Sequence, residues 1–107
     1  MSLKFRKMNV LDEEKHNSAY KGGMRAFVDI TLNDTIQVNG FRVCDNGKGL
    51  WVSPPTQKSE MKGKTYYFPI FQFEKKEHND GLAEDIIKKY KAVLQGETIH
   101  EKVESVY

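Results

Sequence analysis

The residues best suited to binding chemistry in this sequence are arginines interleaved with aromatic side chains. Arg25 and Phe27 lie two positions apart, so a strand through them would place both on one face. Arg42 lies on the next predicted strand, near Trp51. Guanidinium groups neutralise phosphates and flat rings stack on bases, a mixture typical of proteins that hold single strands. An equally weighted alternative is that the rings form a dimer core and the arginines pair with nearby aspartates.

Other chemistry has little support. His16, His78 and His100 are far apart in polar segments, and no Cys or His spacing matches a metal site. Gly47-Lys48-Gly49 does not lead into a helix N-terminus, as phosphate-binding loops do. Cys44 is the single cysteine, and we expect a buried, inert thiol. We therefore predict no catalytic residues, no metal, no cofactor, no small-molecule substrate and no enzymatic activity.

The arginines and rings are positioned by residues 24–52, which we interpret as three consecutive antiparallel strands. Every second residue from Met24 to Leu32 is apolar, so one face of this strand is buried. Asn33-Asp34 predicts a hairpin turn, because Asx side chains tolerate positive φ.

The second strand carries its apolar residues in two phases. Ile36 and Val38 share one phase, and Phe41 and Val43 share the other. One inserted residue flips the alternation, and glycine is the residue that a bulge accepts most easily. We therefore predict a β-bulge at Gly40 that turns both pairs toward one core.

The third strand is short and is followed by a polar segment. Asp45–Gly49 contains an Asn-Gly pair, which favours a type I′ turn. The strand then covers Leu50–Val52, and Pro54-Pro55 end it by removing backbone donors. We interpret Ser53–Lys64, with its two prolines, one glycine and three lysines, as a mobile surface loop.

The N-terminal part is predicted to contribute one edge strand and one loop. Leu3–Val10 alternates apolar residues with lysine and arginine, which natural sheet edges use to discourage unwanted pairing. Leu11–Gly23 is polar and ends in two glycines, so we predict a loop.

The most aromatic segment is Thr65–Phe73, which we interpret as a strand. Pro69 confines it to a sheet edge or a strand end. Large apolar groups occupy both of its faces, whereas one helix can cover only one face of a small sheet. We therefore predict a homodimer or partner interface in this segment. The residues assigned to this interface are Tyr66, Phe68, Phe71 and Phe73.

Apolar residues recur at helical spacing after Asp80, which we assign as an N-cap. Gly96 suits the C′ position, so the helix would have about four turns. Residues 97–107 have no clear pattern and are interpreted as a frayed helical extension.

Length and composition indicate one ordinary domain. The chain has 107 residues, of which 30% are charged and 38% hydrophobic. We assign one domain to residues 1–107, with a core at 24–95 and a tail at 97–107. No apolar run approaches the roughly 18 residues that span a bilayer, and the polar N-terminal residues lack the apolar stretch of a secretory signal, so we expect a cytoplasmic protein. Residues 1–64 carry eleven Lys and Arg against seven Asp and Glu, whereas residues 65–107 carry six against eight. The sheet region is therefore the basic half, which weakly favours a polyanionic partner.

Four sequence pieces in register resemble the stage V sporulation protein G family, also called septation proteins. They are Met24-Arg25-Ala26, Ile30-Thr31-Leu32, Phe41-Arg42-Val43 with Asp45, and Gly49-Leu50-Trp51-Val52 followed by Pro55. The spacing matches without a gap over these pieces, and a looser similarity continues to the predicted helix. The sequence departs from the family in a longer 11–23 connection and in His78–Glu84, where the family has a basic run before and into the helix.

The resemblance implies a small dimeric α+β protein that regulates by binding DNA or RNA, connected with septum formation, cell division and sporulation, and with transcription regulation. By that resemblance the phosphate contacts would be Arg25, Arg42, Lys58, Lys62, Lys64, Lys75 and Lys76.

Together these inferences predict an α+β fold. It would be an antiparallel β-meander of four to five strands with a C-terminal helix packed on one face, assembled as a homodimer. The leading function is binding of DNA or RNA. The alternative is a protein-interaction module that docks through residues 66–73 without nucleic acid.

Overall fold

The computed structural model describes residues 1–11, 23–99 and 102–104. In chain order the elements are β1 (Ser2–Val10), β2 (Met24–Leu32), β3 (Ile36–Asp45), β4 (Leu50–Ser53), β5 (Thr56–Met61), β6 (Lys64–Pro69), α1 (Lys76–Leu94) and β7 (Lys102–Glu104). One antiparallel sheet has the spatial order β4-β3-β2-β1-β7, and β5 with β6 form a separate two-stranded sheet. The predicted meander and the α+β class are confirmed. The predicted loop 11–23 lies, apart from its two end residues, outside the described residues.

The alternation in β2 sets the sidedness of the sheet. Ala26, Val28, Ile30 and Leu32 are at most 1% exposed, as their spacing predicts. The residues between them face the other way, and Phe27 is 40% exposed. The core therefore lies on one side of the sheet, and we call the opposite side the outer face.

The predicted bulge at Gly40 is confirmed. Val28 pairs with Phe41 and Ile30 pairs with Val38, so two residues of β3 lie opposite Asp29 alone. Gly40 has φ of 94°, which L side chains rarely adopt, and its N–H donates to Asp29 Oδ1 at 3.0 Å. Both apolar phases of β3 therefore reach the core.

The helix α1 covers the inner side of the sheet. Leu82, Ile86 and Tyr90 recur at helical spacing and join the core formed by β1, β2 and β3. Gly96, with φ of 94°, follows the C-cap residue Gln95, as predicted. The N-terminal assignment was wrong, because the helix begins at Lys76 with Lys75 as its N-cap.

The interpretation of 53–64 as a loop was wrong. Thr56–Met61 forms β5, which pairs with β6 to make a hairpin that we call the arm (residues 56–69). Lys62 and Gly63 at its tip have φ of 53° and 75°, which is the pair of positive values that a type I′ turn needs. Every residue of β6 is exposed. A strand without a buried face needs no apolar alternation, so no strand pattern is present in the sequence of β5.

Three local predictions also differ from the structure. The tail was predicted to extend the helix, but its segment Lys102–Glu104 is a strand paired with Ser2–Lys4, so β1 is not an edge there. The turn at Asp45–Gly49 is not type I′, because Asn46 lacks a positive φ. The Asp45 and Asn46 carboxylate and amide oxygens instead accept backbone N–H groups two residues ahead. Ile36 is 49% exposed rather than turned inward, since it lies at the end of the hairpin.

Candidate nucleic-acid interface

Arg42 lies at the centre of the outer face and is held by two hydroxyl groups. It alternates with the buried Phe41 and Val43, so the strand directs it away from the core. Its Nη2 donates to Ser53 Oγ at 3.2 Å and to Thr56 Oγ1 at 3.3 Å. The guanidinium has further N–H donors on Nε and Nη1. Arg42 is therefore positioned as a fixed cation at the junction of the sheet and the arm.

The charges of Arg25 and Arg42 both act on the Cys44 thiol. Arg25 is the extra residue of a bulge in β2, since Met24 pairs with Cys44 and Ala26 with Val43. Cys44 is 8% exposed but lies outside the core cluster, next to Trp51 in the strand pairing. Burial raises the pKa of Cys44, and the positive charges of Arg42 and Arg25 oppose that shift. The expectation of a buried thiol is confirmed.

The two predicted rings lie on the same outer face. Phe27 pairs with Arg42 across β2 and β3, whereas Trp51 pairs with Cys44 across β3 and β4. Phe27 is 40% exposed and Trp51 is 46% exposed. Neither ring belongs to the core cluster. The structure thus brings the arginine and the rings together on one surface, as the alternation predicts.

Two cations of the outer face were missed in the sequence. Lys4 pairs with Thr31 and Lys7 with Asp29, so both lysines share the face of Phe27. Sequence analysis assigned the basic residues of this strand to edge protection. The sequence signal was the position of Lys4 between Leu3 and Phe5, because neighbours in a strand face opposite ways. Leu3 and Phe5 are both at most 1% exposed, so Lys4 faces away from the core.

The arm carries three predicted phosphate contacts on different surfaces. Lys58 is two residues from Thr56, so it continues the side of the arm that Arg42 contacts. Lys58 also lies 3.6 Å from Glu60, an exposed ion pair of little energetic weight. Lys62 lies in the tip turn, and Lys64 is opposite Met61 on the other face of the arm.

Lys75 and Lys76 are not brought together with the sheet arginines. They lie at the start of α1, which packs on the inner side of the sheet. Lys76 Nζ is 2.8 Å from Asp80 Oδ2, and this hydrogen bond with the carboxylate raises the pKa of the amine. The described structure therefore separates these two lysines from the outer face.

The four residues predicted for an interface divide into two pairs. Tyr66 and Phe68 are 41% and 48% exposed, and their rings stack with centroids 6.3 Å apart on one face of the arm. Phe71 packs edge-on against Phe41 at 5.9 Å and against Phe73 at 5.4 Å. Phe71 and Phe73 both pack against the molecule's own core. The exposed pair is therefore the part available to a partner.

A small pocket lies on the helix side of the sheet. Its volume is about 220 Å³, below the roughly 300–1,000 Å³ typical of small-molecule sites. Its lining residues are Phe41, Val52, Pro54, Phe71, Gln72, Asn79, Asp80, Leu82 and Ala83. The Asn79 side chain is already bonded to the backbone of Phe73, and Asp80 to Lys76.

Two absences apply to the described residues 1–11, 23–99 and 102–104. Within these ranges no group of three or more His, Cys, Asp or Glu side chains is arranged to hold a metal ion. No helix in the same ranges is both long enough and apolar enough to cross a bilayer.

Comparison with known proteins gives one consistent family. The SpoVG family model matches residues 8–92. A Lachnospira eligens protein named "Putative septation protein SpoVG" is 38% identical over 52 residues, which cover 49% of this chain and 59% of that protein. The chain thus spans less than two thirds of that relative. A Caldicellulosiruptor saccharolyticus protein of the same name is 28% identical over 88 residues, covering 81% of this chain and 96% of the relative. An Archaeoglobus fulgidus protein of that name is 27% identical over 75 residues, covering 70% and 85%. Since the family model spans most of the chain and includes the strands that carry Arg25, Arg42 and Trp51, this protein belongs to the SpoVG family.

Proposed function

We propose that this protein is a nucleic-acid-binding regulator that acts as a homodimer in the cytoplasm. The observation that carries the proposal is the composition of the outer face. Arg42 is fixed there between two half-exposed rings, and Lys4 and Lys7 add positive charge. Two acidic residues of the described chain lie on that face. Asp29 Oδ1 is already bonded to a backbone N–H, and Glu104 lies opposite Ser2 in the edge strand β7, three strands away from Arg42. A DNA or RNA backbone complements such a surface.

Membership of the SpoVG family supports a regulatory role. The relatives described above are named as septation proteins, which connects the family name with septum formation. For this chain we propose the same connection, and we place the phosphate contacts at Arg25, Arg42 and Lys58. Lys62 and Lys64 at the end of the arm are secondary contacts. Lys75 and Lys76 would act only if a long nucleic acid passed around to the helix side.

A mobility-shift titration tests the proposal. Short duplex and single-stranded oligonucleotides would be titrated at about 50 and 200 mM salt, a range over which several phosphate contacts lose orders of magnitude in affinity. Arg25→Gln plus Arg42→Gln should weaken binding and reduce the salt slope by about two, because each phosphate contact contributes about one. The control is Lys88→Ala plus Lys91→Ala, which removes equal charge from the exposed side of α1. Absence of binding at low salt would refute the proposal, whereas equal binding by the arginine variant and the wild type would refute the assignment of Arg25 and Arg42 as phosphate contacts.

A second candidate is a protein-interaction module that works without nucleic acid. The observation favouring it is the exposed apolar face of the arm, with Tyr66 and Phe68 side by side and Met61 50% exposed at the tip. Apolar docking should be almost insensitive to salt, whereas phosphate binding should weaken steeply. The same titration therefore separates the two candidates.

A further inference from the structure

Phe27 and Trp51 flank Arg42 on a sheet face that the helix does not cover. We propose that this surface selects single-stranded over double-stranded nucleic acid, with unpaired bases stacked on Phe27 and Trp51 and a phosphate held by Arg42 between them. The inference rests on the proposed nucleic-acid binding. It adds that the bound form is single-stranded and that Phe27 and Trp51 select it.

The strand pairing fixes the separation of the two rings. Phe27 is opposite Arg42, and Trp51 is opposite Cys44, two residues further along β3. Strands lie about 4.8 Å apart and residues rise about 3.3 Å, so the two ring-bearing Cα atoms are roughly 12 Å apart. Bases stacked in a duplex rise only about 3.4 Å each. The two rings therefore cannot take adjacent stacked bases, and each must receive a separate, splayed base.

The shape of the outer face also disfavours a duplex. The rings project from the middle of a sheet, on strands β2 and β4 that flank Arg42. In a duplex the faces of the bases are covered by their neighbours, so a ring on a sheet surface cannot stack on them. A groove is entered instead by a helix or a narrow ribbon that projects from the protein, and in this molecule the arm, not the sheet face with Phe27 and Trp51, has that form. In a single strand the base faces are open, and aromatic side chains then supply binding that tolerates sequence.

Charge and anchoring complete the site. The guanidinium of Arg42 is restrained by Ser53 and Thr56, so little side-chain entropy remains to be lost when it meets a phosphate. The charge of Arg25 reaches the same region, since it acts on Cys44 between Arg42 and Trp51. A phosphate between two stacked bases thus meets positive charge on the strand that separates the rings.

Fluorescence and anisotropy measurements test the inference on the full chain. Trp51 is the single tryptophan, so its emission reports this surface alone. The probes are labelled oligothymidylate and oligouridylate of about 12 nucleotides, together with a duplex of equal length. The two single strands separate a DNA partner from an RNA partner. We expect both to quench Trp51 and the duplex to leave its emission unchanged.

Ring substitutions give the second readout. Phe27→Leu and Trp51→Leu keep an apolar side chain but remove the stacking surface, and each should weaken single-strand binding about 5- to 150-fold. Duplex binding should not change. The control is Tyr66→Leu, which removes a 41% exposed ring from the face of the arm opposite Lys58.

The outcomes separate this inference from the function on which it rests. Equal affinity for single strands and duplex, with dependence on Arg42 but not on the rings, would overturn the inference and leave nucleic-acid binding intact. Absence of binding to every probe at low salt would overturn both. A change from dimer to monomer in Phe27→Leu or Trp51→Leu would assign the rings to an interface between copies and also overturn the inference.

Discussion

At the level of single residues, Arg42 shows how two short polar side chains fix a long cationic one. Ser53 and Thr56 lie on either side of Pro54-Pro55, and both hydroxyl groups accept from the same guanidinium nitrogen. The prolines restrict the backbone between the two hydroxyls. Arg42 is therefore restrained before any ligand arrives, and it can influence the residues beside it.

The Cys44 thiol provides a direct probe of these charges. Burial raises its pKa, so we expect alkylation by iodoacetamide to begin at a higher pH than in the denatured chain. Arg42→Gln removes a charge that lowers the pKa, so the profile should move further toward high pH. Arg42→Lys keeps the charge and should leave the profile nearly unchanged. The measurement is the labelling rate from about pH 7 to 10, and Cys44 is the single cysteine. A profile that is the same for Arg42→Gln and for the wild type would show that the charge of Arg42 does not act on the Cys44 thiol.

Which side chains of each strand face the core could be predicted from the sequence, because the alternation of apolar and polar residues is local. The phase change around Gly40 predicted the bulge, and the same type of change between Phe5 and Met8 marks a second bulge at Arg6. The hydroxyl partners of Arg42 could not be predicted. Thr56 lies 14 residues from Arg42, and only the path of the chain after the prolines brings the two together.

Among the elements, the start of α1 is held by a side chain within the helix rather than by its N-cap. Lys75 makes no side-chain capping bond. Asn79 instead accepts from the Phe73 N–H at 2.7 Å and donates to the Phe73 carbonyl at 2.8 Å. This pair of bonds ties the helix to the aromatic connection that precedes it. Asn79 therefore also positions Phe71 and Phe73 against the core.

Replacing Asn79 should destabilise the protein more than an exposed asparagine does. Asn79→Ala removes both hydrogen bonds between its side chain and the partly buried backbone of Phe73, which should cost about 1–3 kcal/mol in free energy of unfolding. Asn79→Asp keeps the acceptor for the Phe73 N–H and should cost less. The measurement is urea denaturation, with Asn46→Ala in the exposed Asp45–Gly49 turn as the matched control. Equal midpoints for the alanine variants at 79 and 46 would contradict this account.

Element boundaries were harder to predict than element types. Asp80 is a good N-cap residue, and the apolar pattern begins just after it, but the N-cap is Lys75, so the helix starts five residues earlier than predicted. Its first turn has few apolar residues, and Asn79 supplies contacts to Phe73 that no local pattern encodes. The arm strand 56–61 was missed for a related reason, since neither of its faces packs on the core. The remaining sequence signal for this hairpin was Gly63, which favours a turn between its two strands.

The whole molecule is more extended than a compact chain of its length. Its radius of gyration is 14.4 Å, against about 13 Å for a compact domain of this size. The extents are 43 × 35 × 24 Å, and the solvated arm is the element that lacks core contacts. An isolated two-stranded hairpin is marginally stable in water. The arm with its exposed Tyr66 and Phe68 is therefore the part that a second copy would stabilise.

We expect Tyr66→Ser plus Phe68→Ser to convert a dimer into monomers. The change removes two stacked rings from one face of the arm without touching the core. Loss of this apolar area should weaken association by more than about tenfold. Sedimentation velocity over a range of concentrations measures the effect. Tyr67→Ser, on the opposite face of the arm, is the control. A dimer that survives the double substitution would place the interface elsewhere.

The pairing of Lys102–Glu104 with Ser2–Lys4 joins the two ends of the chain at one edge of the sheet. Among the described strand pairings this one closes the longest loop and so carries the largest loop-closure entropy, and we expect it to form after the intervening strands and the helix have assembled. This strand pairing is therefore the last that we expect to form and the first that we expect to open. In molecules where this pairing is open, the edge of β1 is unpaired and exposed to the same edge of other molecules.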